Sequence, residues 1–102
     1  MKTLLRIKKE EAQRIFDIAD KYQVSLDWWD LTDIYANKYK LKIIEDCAHA
    51  VETKYKNQNA GTFGDLGCFS FYATKNLTCG EGGAVATNNK ELADELKVLR
   101  LH

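Results

Sequence analysis

Apolar residues recur at Ile15, Ile18, Ala19 and Tyr22, spaced i, i+3, i+4 and i+7. That spacing predicts an amphipathic helix over about residues 8–23. A second helix is expected after Asp30, which can cap it, with Asp33 in the first turn and Leu31, Ile34 and Tyr35 as the buried stripe. Asp17–Tyr22 and Asp33–Tyr39 look alike but differ by a one-residue gap, so they read as two similar helix ends rather than a repeat. Leu41-Lys42-Ile43-Ile44 then forms a short apolar run that ends in Glu45-Asp46, the pattern of a parallel strand. Leu66 to Phe71 and Gly83 to Thr87 are two further strands. Asn88 or Asn89 caps a last helix, with Leu92, Leu96 and Leu99 on one face and Lys97, Arg100 and His102 toward its end.

Helices flanking three apolar strands favour an α/β layered sheet. Ligands in such sheets bind beyond the carboxyl ends of strands, which singles out Asp46 and the stretch after Phe71. Composition narrows the classes. The 102 residues carry 15 basic and 15 acidic side chains, so no basic surplus marks a nucleic-acid binder. With 45% hydrophobic and 29% charged residues the chain is globular, of a size for one domain. It has no run of the roughly 18 apolar residues that a membrane helix needs. Met1–Leu5 is too short for a signal peptide. Cys47, Cys68 and Cys79 form no CxxC pair, which suits free thiols in a reducing cytoplasm.

Several residues could carry chemistry. Lys75 follows the apolar run Cys68–Ala73. A lysine at the end of a buried strand can be desolvated, and a neutral amine can form a Schiff base; the alternative is a surface lysine whose stem lies along the strand end. Asp46 could bind a cation or a protonated ring nitrogen, or simply cap the residues after it. His49 is a candidate ring-stacking group or a structurally satisfied histidine. Cys47-Ala48-His49 is too sparse for a metal site, so no metal is expected. Gly80-Glu81-Gly82-Gly83 lacks phosphate-loop spacing and reads as a tight turn. Trp28-Trp29 is either a binding platform or a core anchor beside an exposed neighbour.

Four segments in order carry a resemblance: Ile44–Ala50 (IEDCAHA), Gly61–Asp65 (GTFGD), Phe69–Thr78 (FSFYATKNLT) and Gly80–Gly83 (GEGG). Together they resemble the DegT/DnrJ/EryC1/StrS family of nucleotide-sugar aminotransferases, pyridoxal-phosphate enzymes of the aspartate-aminotransferase fold type. The resemblance covers about residues 30–102. It implies part of the fold-type I large domain, a mostly parallel sheet with flanking helices, here incomplete. Residues 1–29 form a divergent helical segment outside it.

The resemblance also implies roles. Lys75 would bind pyridoxal 5'-phosphate covalently and later move protons on the substrate carbon. Asp46 would pair with the pyridine nitrogen, His49 would lie against the ring, and Ser70 would bind the phosphate. A fixed carboxylate keeps the pyridinium protonated, and that ring is the electron sink of the chemistry. The implied activity transfers an amino group from glutamate to a keto group of a nucleotide-linked sugar, in a cytoplasmic enzyme that is a homodimer when complete. Some relatives are dehydratases with histidine in place of the lysine, so Lys75 favours transamination. The family's chains are several times longer, and their second phosphate-binding loop has no counterpart in residues 1–29. The rival expectation is therefore an inactive remnant or an interaction module.

Overall fold

The structure is a computed structural model that describes residues 8–101. The Met1–Leu5 stretch, the Trp28 side chain and His102, for which the sequence raised expectations, lie outside the described set. The chain divides into two compact units, Met1–Leu41 and Lys42–His102.

The first unit holds α1 (Lys9–Lys21) and α2 (Trp28–Tyr39). Asp27, not Asp30, caps α2: its carboxylate accepts from Asp30 N, and Asp30 Oδ2 accepts from Asp27 N, each at 2.9 Å. This is a reciprocal capping box, with aspartate at both positions where Ser/Thr and Glu are usual. The helix ends on Lys40 in the left-handed region, φ 55°. Ala12, Leu31 and Ala36 are buried, but the expected stripes stay partly open. Ile18 is 57% exposed, Tyr22 70% and Ile34 48%. Helical periodicity identifies the apolar face without specifying what covers it.

The second unit is a three-stranded sheet in the order β1-β4-β5, with a small hairpin and a terminal helix. Strand β1 (Ile44–Asp46) lies parallel to β4 (Leu66–Ser70), with Ile44 opposite Leu66, Glu45 opposite Gly67 and Asp46 opposite Cys68. β1 begins at the end of the apolar run 41–44, and Leu41 N instead bonds back to Ala36 O. Strand β5 (Gly83–Ala86) pairs antiparallel with β4, so one of the two pairings departs from the expected parallel arrangement. The connection 71–82 explains this. A parallel crossover usually carries a helix, whereas this segment folds back through Phe71 N–Gly82 O (2.8 Å) and Ala73 N–Gly80 O (3.1 Å).

A hairpin of β2 (Lys54–Tyr55) and β3 (Gln58–Asn59) turns through Lys56 and Asn57, both at positive φ (47° and 63°). That matches the left-handed pair of a type I′ turn. Helix α3 (Lys90–Leu99) is capped by Asn89, whose side chain accepts from Leu92 N at 3.1 Å. Leu92 and Leu96 are half-buried, while Leu99 is 69% exposed.

Candidate active site

Strand alternation puts β1's two acids on opposite faces of the sheet. Glu45 turns toward residues 61–64. Its Oε1 accepts from Gly61 N (2.8 Å), and its Oε2 accepts from Phe63 N (2.9 Å) and Gly64 N (2.8 Å). Gly67, opposite Glu45, lies on the same face, where an added Cβ would meet the backbone of Gly61. Gly61 has φ +89°, and a Cβ there would meet the Phe69 ring and Cys47 Sγ. Both positions therefore require glycine, and the loop closes this face. Cys47 is buried on the same side. Burial first, then the nearby Glu45 and Asp46 charges, push its thiol up, so it stays protonated.

Asp46, Cys68 and Ser70 alternate onto the other face, together with Ile44 and Val85, which are 65% and 47% exposed. Asp46 is exposed, and its Oδ1 accepts from Ala48 N at 3.1 Å. Its Oδ2 has no hydrogen-bond partner among the described residues. β1 and β4 run parallel and adjacent, so the turn after Asp46 and the turn after Ser70 emerge at the same, carboxyl, end of the sheet.

These two turns meet. Lys75 Nζ lies 3.0 Å from His49 Nε2, and Asn76 Nδ2 donates to Glu52 Oε1 at 2.7 Å. Lys75 is half-buried, and its backbone N donates to Tyr72 O at 2.9 Å. Ser70 Oγ accepts from Tyr72 N at 3.4 Å. Of the four candidates, then, Lys75 and His49 touch, Ser70 starts the turn that delivers Lys75, and Asp46 starts the turn that delivers His49. The Trp29 side chain is half-buried.

The arrangement suits pyridoxal 5'-phosphate, which presents an aldehyde, a ring nitrogen and a phosphate. An exposed carboxylate oxygen and a hydroxyl stand on the open face, and an amine comes from the turn at the same carboxyl end of the strands. Among the described residues no group of three His, Cys, Asp or Glu side chains is placed to hold a metal. A recess of about 310 Å³ lined by Gly64, Asp65, Asn88 and Asn89 lies at the opposite end of β4, remote from these groups. Its Asp65 serves the fold. The carboxylate accepts from Ile43 N at 2.8 Å and from Lys42 Nζ at 3.3 Å, and the Ile43 bond above all holds its pKa below the usual range.

Glu45, Glu52 and Asn76 were not singled out by sequence reasoning. Glu45 stood only as the end of a strand, because its partners lie 16 to 19 residues further on. Glu52 and Asn76 lie 24 residues apart and in no motif of paired polar residues.

No helix among the described residues is long and apolar enough to cross a membrane. The family model "DegT/DnrJ/EryC1/StrS aminotransferase family" matches residues 21–102. The spore coat polysaccharide biosynthesis protein SpsC of Bacillus subtilis is 54% identical over 67 residues, 66% of this chain and 17% of that protein. The UDP-4-amino-4,6-dideoxy-N-acetyl-beta-L-altrosamine transaminase of Campylobacter jejuni is 46% identical over 67 residues, again 66% of this chain and 18% of that protein. The solved structure of Helicobacter pylori PseC, an aminotransferase involved in pseudoaminic acid biosynthesis, superposes with a TM-score of 0.70. It is 35% identical, over 76% of this chain and 21% of its own. This chain thus spans about a fifth of the length of these relatives. Its fold is an incomplete α/β portion of the fold-type I large domain. The ordered motifs, the match over residues 21–102 and the shared fold agree that the chain belongs to the DegT/DnrJ/EryC1/StrS aminotransferase family.

Proposed function

We propose that residues 30–102 are the cofactor-binding core of an enzyme that moves an amino group from glutamate to a keto group of a nucleotide-linked sugar. The observation that carries this is the convergence of Lys75 and His49, at 3.0 Å, beside the carboxyl ends of the parallel strands that bear Asp46 and Ser70. The Campylobacter and Helicobacter relatives support the sugar class. The cytoplasm, and a homodimer in the complete enzyme, belong to the same proposal.

When bound, pyridoxal 5'-phosphate supplies an electrophilic carbon and a ring that accepts electron density. Asp46 holds a proton at the ring nitrogen through its uncommitted Oδ2. Ser70 Oγ would donate its proton to the phosphate in a charge-assisted bond, while its lone pair still accepts from Tyr72 N. His49 would lie against the ring, and it is hydrogen-bonded to Lys75 while that amine is free. Lys75 would hold the cofactor through its Nζ, and the free amine would serve to take and return a proton at the substrate carbon.

Incubating the chain with pyridoxal phosphate and then borohydride should fix the cofactor on Lys75. Equal labelling of Lys75→Ala would overturn the assignment. A transamination assay on the same chain addresses the rival reading, an inactive remnant or interaction module. Turnover would exclude that rival.

A further inference from the structure

We infer that Glu52 is a positioning residue that holds the Lys75 turn in place through Asn76, an inference that rests on the cofactor role of Lys75 given above. The turn is built unevenly. Its base is fastened by Phe71 N–Gly82 O, Cys79 N–Phe71 O and Thr78 Oγ1–Phe71 O, at 2.8 to 3.0 Å. Ala73 N–Gly80 O adds a fourth bond at 3.1 Å. Beyond these, residues 74–77 have one backbone bond among the described residues, Lys75 N to Tyr72 O. Two side-chain links tie this outer part to the turn after β1: Lys75 to His49 and Asn76 to Glu52.

These two links differ in one decisive respect. The first consumes the reactive amine. Bonding to a cofactor carbon would leave Lys75 Nζ at most one N–H and would redirect it toward the cofactor, so that link would be weakened when the site is used. The second leaves the amine free and persists. It joins a carboxylate to an amide at 2.7 Å, a charge-assisted bond stronger than a neutral one. Glu52 lies three residues after His49 and Asn76 follows Lys75, so the bond fixes the spacing of the two turns that carry the candidate groups. A displacement of about 1 Å in a reacting group can slow a reaction a hundredfold, and the Glu52–Asn76 bond limits that displacement.

The test uses the full chain and four variants: Glu52→Ala, Glu52→Gln, Asn76→Asp and the double variant Glu52→Gln/Asn76→Asp. Glutamine's carbonyl still accepts from Asn76. Asn76→Asp alone sets two carboxylates against each other. The double variant restores a bond of reversed polarity. The rate of borohydride-trapped pyridoxal phosphate labelling at Lys75, relative to the other lysines, should fall roughly 3–10-fold in Glu52→Ala and Asn76→Asp. It should be largely retained in Glu52→Gln and recovered in the double variant.

Nuclear Overhauser contacts between the Lys75 side chain and the His49 ring provide a cofactor-free readout that should follow the same order, with urea midpoints reporting any loss of fold. An unchanged contact and labelling rate in Glu52→Ala, or no recovery in the double variant, would overturn the inference. If the unaltered chain shows no preference for Lys75, the proposed function fails instead, and the Overhauser contacts still decide the role of Glu52.

Discussion

Glu45 and Asp46 are neighbours on one strand and are used in opposite ways. Glu45 sits on the closed face and commits both oxygens to three backbone N–H groups. Asp46 sits on the open face, exposed, with one hydrogen bond to Ala48 N and an uncommitted oxygen. The period-2 alternation of a strand assigns the first acid to the fold and leaves the second available for chemistry. The same division runs through β4: Gly67 and Phe69 pack against the 61–64 loop, while Cys68 and Ser70 face away from it. One face is thus fixed, so that the other can present its groups at defined positions.

The largest expected effect is on the closed face. Glu45→Ala should lower the unfolding free energy in urea by about 2–4 kcal/mol, because three N–H groups lose a charged acceptor. Asp46→Ala should change it by less than about 0.5 kcal/mol, as for an exposed surface position. Equal losses at the two sites would break the comparison.

Acid should weaken the opposite end of the β1–β4 pair. The Asp65 pKa is lowered, chiefly by its bond from Ile43 N, so the folded state favours the charged form. Its stabilising contribution is present above the ordinary carboxylate range and disappears as the pH falls through the depressed folded value. The acid-induced loss of stability should therefore be smaller in Asp65→Asn, which is already weaker at neutral pH.

The smallest effect concerns the cysteines. Cys79 is exposed, whereas Cys47 is buried with its thiol pKa raised. Iodoacetamide should alkylate Cys79 first and Cys47 last, as mapped by mass spectrometry. Rapid modification of Cys47 in the folded chain would show that the closed face is open.

Much of this arrangement was legible in the sequence. The four ordered motifs carried the family, and the apolar runs located β4, β5 and α3 to within a residue or so. The helix start was misplaced because Asp27 and Asp30 are both capping residues, and the reciprocal pair is apparent only once both bonds are seen. The hairpin at 54–59 was missed because Lys56-Asn57 lacks the glycine that usually marks a left-handed turn. The direction of β5 is set by hydrogen bonds from Phe71 and Ala73 across the 71–82 segment, which no apolar pattern encodes. Glu45 escaped notice for a related reason: its partners are main-chain groups, and any residue type supplies those.

The central claim is that Asp46 and Lys75 serve the same small ring from two adjacent turns. The most direct measurement is the nitrogen-15 chemical shift of the pyridine nitrogen in labelled pyridoxal phosphate bound to the chain. A protonated nitrogen in the unaltered chain that becomes unprotonated in Asp46→Ala, with the label still on Lys75, is the predicted result. The same shift in both proteins would contradict it.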